Sequence, residues 1–240
     1  MRLIWMAAIP IEDGFSFEIE QDSLADTMGA KIPNRSIGIL AGTVGAGKSL
    51  ISQRLILGLL ENEAKVVVVT TELTTRGWIE QMHSIGYHII DYITNGKLLV
   101  ISRFGTMAEP VSDVSLADVL ESKAMSEADI VFIDSASSIM PDVMDSAERF
   151  EMLDMLRRFT AENRTVILGI DEDEIDQKTA RAFKSASEIL IDLSAALVGG
   201  ELKRQIKVTR FLRAAGPLQT TIGWRVEPSM GFIVDITAVS

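Results

Sequence analysis

Runs of consecutive apolar residues alternate with segments whose apolar residues recur at helical spacing. Ser36-Ile37-Gly38-Ile39-Leu40-Ala41 reads as a short buried strand, and Ile51, Leu55 and Leu59 then follow at a four-residue step, as one helix face should. Residues 65–70 form an uninterrupted β-branched run of the kind that suits a parallel strand covered on both faces. Trp78, Ile79, Met82 and Ile85 predict a helix over residues 76–87, and residues 98–102 a further strand. Residues 103–115 look like a surface loop, and Leu116, Val119 and Leu120 mark a short helix. Residues 129–134 are another buried strand, ending in an acid. Residues 146–163 make a long amphipathic helix with Met152, Met155, Leu156 and Phe159 on its core side. Residues 165–170 are again a strand, running into the acidic stretch 171–176, which reads as a solvated loop and helix start.

From Glu188 the pattern changes. Residues 188–193, 205–212, 220–226 and 232–236 are strands joined by turns marked by Gly or Pro, with no long helix between them. The expected architecture is α/β: a mainly parallel central sheet flanked by helices, extended by C-terminal antiparallel strands. At the other end, residues 1–35 read as an arm. Residues 23–28 suit a short helix with Ser23 as N-cap, and residues 29–34 are turn-like. The apolar start, residues 1–10, is too short to span a bilayer and is followed at once by Glu12 and Asp13. It is expected to pack on the domain or on a neighbouring subunit.

With 240 residues and 47% hydrophobic content, the chain suits a single domain, 1–240, with a substantial core. The net charge of −11 argues against a nucleic-acid backbone as main partner, since such binders need a cationic face. The absence of cysteine excludes disulfides and thiolate metal sites. The two histidines, His83 and His88, lack metal-ligand spacing and are expected to decorate a helix and its exit. No other segment approaches transmembrane length, so a soluble cytoplasmic protein is the expectation.

The chemistry concentrates in Gly42-Thr43-Val44-Gly45-Ala46-Gly47-Lys48-Ser49, which fits G-x-x-x-x-G-K-[ST] without a mismatch. Glycines let the backbone bend around a phosphate and turn its N–H groups inward. The lysine ammonium reaches the β/γ-phosphates, and the Ser49 hydroxyl ligates Mg²⁺. The following helix adds the positive end of its dipole. Asp134 closes the apolar run 130–133, the Walker B form, and would hold the metal through water. Glu72 lies just past the strand 65–70 and is the candidate to orient or deprotonate water. The residue after Asp134 is Ser135, so the base does not come from that position. Lys207, Arg210 and Arg213 lie on or after a late strand, and Arg210 is the candidate cation for acting across a subunit interface.

This order of motifs resembles the RecA/KaiC-like ATPase superfamily over nearly the whole chain. Within it the nearest likeness is to the FlaH/ArlH accessory-protein family of the archaellum, the archaeal flagellum. The specific segments are Thr70-Thr71-Glu72-Leu73-Thr74-Thr75-Arg76-Gly77, Gln81-Met82-His83-Ser84 and Arg225-Val226-Glu227-Pro228, beside Gly47 to Leu55. The resemblance implies a RecA-like P-loop NTPase fold, ATP and Mg²⁺ as ligands, and assembly into a homo-hexamer. It also implies a cytoplasmic place at the inner face of the membrane, beside the archaellum motor ATPase and under the membrane platform protein. Weak or no hydrolysis and a regulatory role go with it. An active KaiC-like ATPase or autokinase in signalling is the alternative, and a RecA-type DNA recombinase a third that the charge disfavours.

Overall fold

The computed structural model describes residues 13–106 and 114–235. The apolar start, most of the loop read between 103 and 115, and Ile236 of the last expected strand lie outside the described residues. In chain order the elements are β1 (Gly14–Ser16), α1 (Leu24–Thr27), β2 (Lys31–Pro33), β3 (Ile37–Ala41), α2 (Lys48–Glu61), β4 (Val66–Thr70), α3 (Thr75–Ser84), α4 (Ile90–Thr94) and β5 (Leu98–Ser102). There follow α5 (Leu116–Glu121), β6 (Ile130–Asp134), α6 (Ser146–Ala161), β7 (Thr165–Ile170), α7 (Gln177–Ala186), β8 (Ile189–Val198), β9 (Glu201–Phe211), β10 (Thr221–Glu227) and β11 (Gly231–Asp235).

Nine strands form one sheet in the order β11-β10-β9-β8-β3-β7-β6-β4-β5. The strands from β8 to β5 are mutually parallel, and β9, β10 and β11 continue the sheet antiparallel. This is the mainly parallel sheet with an antiparallel extension that the switch from βα units to bare strands predicts, and the RecA-like arrangement that the resemblance implies. The strand faces divide the core. Leu40, Val66, Val68, Ile130 and Phe132 pack with α2 and α3, while Ile39, Val67, Val69, Val131 and Ile133 pack with α5, α6 and α7. Both faces are covered, which is why these strands read as continuous apolar runs rather than alternating ones.

The arm departs from its reading. Residues 31–33 are a strand rather than a turn, paired antiparallel with β1 through Phe15 and Ile32. A pair of three-residue strands is too short to show a period. Ser23 precedes α1, but its side chain makes no cap; the Leu24 N–H instead donates to Asp22 Oδ1 at 2.9 Å. α4 was also not signalled, being five residues with none buried.

One buried ion pair fixes the arm to the helix that follows the phosphate-type loop. Arg54 on α2 is 0% exposed. Its Nε and Nη2 donate to the two oxygens of Asp22 at 2.6 and 2.7 Å, and its Nη1 donates to the Phe17 carbonyl at 2.9 Å. The chain passes so close that a Cβ on Gly58 would lie 2.2 Å from that carbonyl oxygen. Removing one partner of such a pair strands a charge in the core. Asp22→Ala is therefore expected to cost about 3–5 kcal/mol, read as a fall in the urea midpoint. A loss under about 1 kcal/mol, the scale of a surface pair, would show that Arg54 reaches solvent instead.

Candidate functional site

Register brings four strand ends level. Ala41 pairs with Ile170 and with Asp192, Ile133 with Leu168, and Thr70 with Asp134. The loop after β3, Asp171 after β7, Asp134 at the end of β6 and Glu72 after β4 therefore share one edge of the sheet. This is the carboxyl end of the parallel strands, where open α/β sheets bind ligands.

Residues 42–49 make the glycine loop that the motif predicts. The Gly42 N–H is tied to the Ile170 carbonyl at 3.1 Å, and Ala46 closes a turn on Thr43 at 3.1 Å. Gly47, at φ +100°, is the N-cap of α2. It supplies no side chain to the helix end, and the first intrahelical bond is Ile51 N–H to Gly47 O at 3.0 Å. The first-turn amides of α2 thus face the loop without a side-chain acceptor, which is the arrangement that accepts an anion. Val44 stands 86% exposed at the crest.

Lys48 is 7% exposed and fully engaged. Its Nζ donates to Gly42 O at 2.7 Å, Thr43 O at 3.2 Å and Asp171 Oδ2 at 3.0 Å. The sequence places Asp171 in a solvated acidic run. That reading is corrected: Asp171 is 2% exposed, because β7 lies between β3 and β6 and delivers its next residue beside the loop. The far end of the run, Asp176, caps α7 by accepting from Lys178 and Thr179 N–H. A buried hydroxyl network extends from Asp171. Its N–H donates to Ser137 Oγ at 3.1 Å, and Ser137 bonds the Ser135 hydroxyl at 2.6 Å and Glu174 at 2.6 Å. The Ser135 N–H donates in turn to Thr71 Oγ1 at 2.7 Å, next to Glu72.

Asp134 is 7% exposed, and its Oδ1 is buried without a partner. Burial pushes its carboxyl up from 3.8 to about 6, against the Ser49 hydroxyl that bonds it and the Lys48 charge; the nearby Glu72 charge adds to the rise. Ser49 therefore touches Asp134, and Glu72 lies near enough for its charge to act on that carboxyl. Among the described residues no group of three His, Cys, Asp or Glu side chains forms a metal cage. A hydroxyl beside a carboxylate with one vacant lone-pair oxygen fits Mg²⁺, which takes few protein ligands and keeps water and phosphate for the rest.

Arg210 is placed elsewhere. It pairs with Leu190 near the start of β8, toward the opposite edge of the sheet. Its Nη1 donates to the carbonyls of Lys184, Ser185 and Ser187 at 3.0, 3.2 and 2.8 Å, capping the end of α7. Lys207 lies opposite Asp192, and Arg213 reaches the Arg35 carbonyl at 3.4 Å, so the three cations do not form one group. His83 and His88 face each other, Nδ1 to Nδ1 at 3.2 Å, on α3 and just beyond it.

The Asp134 environment carries a stability cost with a defined sign. Between pH 3.8 and about 6 the folded protein holds a proton on Asp134 that the unfolded chain has released. The group's contribution to stability therefore declines as pH rises through that window and stays low above it. Asp134→Asn is expected to stabilise the protein at pH 7.5 by on the order of 3 kcal/mol, read as a higher thermal midpoint, and to change the midpoint little at pH 4. A variant less stable than wild type at pH 7.5 would contradict this.

Comparison with known proteins agrees with the geometry. The family model described as "ATPase: KaiC" matches residues 21–219. The archaeal flagellar ATP-binding protein FlaH of Methanocaldococcus jannaschii is 30% identical over 224 residues, covering 93% of this chain and 96% of that protein. The protein of the same name from Sulfolobus acidocaldarius is 28% identical over 212 residues, 85% and 90% of the two chains. The crystal structure of the flagellar accessory protein FlaH from M. jannaschii superposes with a TM-score of 0.83 at 28% identity, covering 94% of this chain and all of that one. On sequence, fold and the placing of its loop, this chain belongs to the KaiC-type ATPases and, among them, to the archaeal flagellar FlaH proteins.

Proposed function

We propose that this chain binds ATP with Mg²⁺ in the loop 42–49 and serves the archaeal flagellum as a nucleotide-gated subunit. One observation carries the reading: first-turn amides and Lys48 converge on a glycine loop beside Asp134, whose Oδ1 lacks a partner. The names of the relatives, archaeal flagellar ATP-binding proteins, support it.

The residues divide the work. The amides of residues 45–49 seat the phosphates, and Lys48 exchanges Asp171 for the β/γ-phosphate oxygens. Ser49 and, through water, Asp134 would hold Mg²⁺, which when bound neutralises charge between the β- and γ-phosphates. Glu72 orients the attacking water. Its side chain is exposed, so water around it is poorly held and turnover is slow. In this reading the bound state favours a homo-hexameric ring. The ring contacts the motor ATPase and the membrane platform protein at the inner face of the membrane. Among the described residues no helix is long and apolar enough to cross a membrane.

ATP affinity, steady-state hydrolysis and particle size, measured on one preparation, test this. Lys48→Ala should lose ATP binding by about 100-fold or more, as expected for removing charge-assisted bonds to phosphate. ATP should enlarge the wild-type particle and leave the Lys48→Ala particle unchanged. Unaltered affinity in that variant would sink the assignment. Fast turnover that collapses in Glu72→Gln would favour the active-ATPase alternative.

Asp171 supplies a second test. Its carboxylate competes with phosphate for Lys48 and repels the incoming anion. Asp171→Asn is expected to tighten ATP binding severalfold while lowering the thermal midpoint of the nucleotide-free protein, because a buried pair has lost its anion. Weaker ATP binding would instead make Asp171 a direct contributor to the bound state.

A further inference from the structure

The chain's two histidines, His83 and His88, are five residues apart, one more than a helix needs to bring them onto one face. The exit of α3 closes that gap. Gly86, at φ +89°, donates its N–H to the His83 carbonyl at 3.0 Å, and the Tyr87 N–H donates to the Met82 carbonyl at 2.9 Å. These are the paired bonds of a Schellman turn, which folds the chain back over the last helical turn. His88 is thereby returned to His83. The two Nδ1 atoms stand 3.2 Å apart, with the rings edge to face at 62°. The frame under the pair is firm. Tyr87 is 2% exposed, and its hydroxyl accepts the Phe232 N–H at 2.9 Å. A Cβ on Gly86 would lie 2.6 Å from the Ser229 carbonyl oxygen, so the turn is wedged against the β10–β11 connection. Both histidines are nevertheless exposed.

Two ring nitrogens this close do not keep both lone pairs bare. Either one carries a hydrogen directed at the other, or a cation lies between them. The spacing fits a cation: two nitrogens bound to one ion at about 2.0–2.1 Å stand roughly 2.9–3.4 Å apart, from a right angle to a tetrahedral one. The surroundings favour positive charge. His83 lies in the last turn of α3, at the negative end of its dipole, and the chain carries a net charge of −11. No thiolate competes for such an ion, since the chain has no cysteine. Among the described residues no third His, Cys, Asp or Glu completes the group, and Glu80, one turn earlier on α3, is bonded to Arg76 at 2.7 Å. The other coordination positions are left to water, which makes an open, exchangeable site rather than a closed structural one.

We propose that His83 and His88 chelate a divalent transition ion of the copper, nickel and zinc class through their Nδ1 atoms. Imidazole suits these ions, and copper binds most tightly among them. The ion replaces any hydrogen held between the rings, that proton moving to the outer nitrogen, Nε2. Titration of the full chain, free of any histidine tag, with Cu²⁺ and with Zn²⁺ tests this, with Mg²⁺ in excess to occupy oxygen-lined sites. Wild type should bind one equivalent, and the Cu²⁺ paramagnetic resonance spectrum should show coupling to two imidazole nitrogens. His83→Ala and His88→Ala should each weaken binding about 100-fold, as when a two-point attachment becomes a one-point one. Zn²⁺ should raise the thermal midpoint of wild type and of neither variant. A Cu²⁺ spectrum with one nitrogen or none, or affinity unchanged in either variant, would overturn the inference and leave the pair sharing a hydrogen only. Should a variant fail to fold, the wild-type spectrum decides, because the chain has no other imidazole to supply the second nitrogen.

Discussion

A buried ammonium needs an anion, and at Lys48 that need organises the whole edge of the sheet. The charge is balanced by two loop carbonyls and by Asp171. Desolvating an unpaired ammonium costs several kcal/mol, so the loop is held in a set shape before any phosphate arrives. Asp171 is also the first member of the hydroxyl chain through Ser137 and Ser135 to Thr71. In the proposed reading a phosphate that takes Lys48 would free a carboxylate bonded toward the ends of β7, β6 and β4. The change would be local in origin and would reach three strand ends through bonded contacts, which is the kind of element the proposed nucleotide gating needs.

The same edge trades stability for ligand binding. Asp134 is kept where its ionised form is penalised and one oxygen goes unbonded. A cation bound as proposed would offset both defects at once. Strained or under-satisfied polar groups persist where function requires them. The contrast with Arg54 and Asp22 is instructive. That pair is equally buried but fully bonded, and it anchors the arm without any ligand.

Much of this was legible in the sequence because it is local. The β-branched runs 65–70 and 165–170 could be little else than covered strands, and the loop 42–49 carries its mechanism in eight consecutive residues. Asp134 and Glu72 followed because each comes at the end of a readable strand. Asp171 did not, although it too follows a strand. Its role depends on β7 being inserted between β3 and β6, and strand order is not written in hydrophobic periodicity. Arg210 shows the converse. The spacing correctly put it on a late strand, but the carbonyls it caps belong to the end of α7, and only packing brings them together. Arg204 and Trp224 meet Gly47 from the far end of the chain, across a sheet whose register no local signal fixes.

The net charge poses a final question: how a chain of −11 attracts a polyanion. Long-range steering works against it, since the summed field repels phosphate beyond the first few ångströms. Attraction must come from groups acting at contact: loop amides, the α2 dipole and Lys48. These are partly buried and little screened by salt, whereas the surface carboxylates are screened within about 8 Å at physiological ionic strength. Asp171, Asp134 and Glu72 lie on the β7, β6 and β4 side of the loop. That polarity gives the site a direction. In the proposed reading the metal-bearing end of the phosphate chain would lie toward that acidic flank.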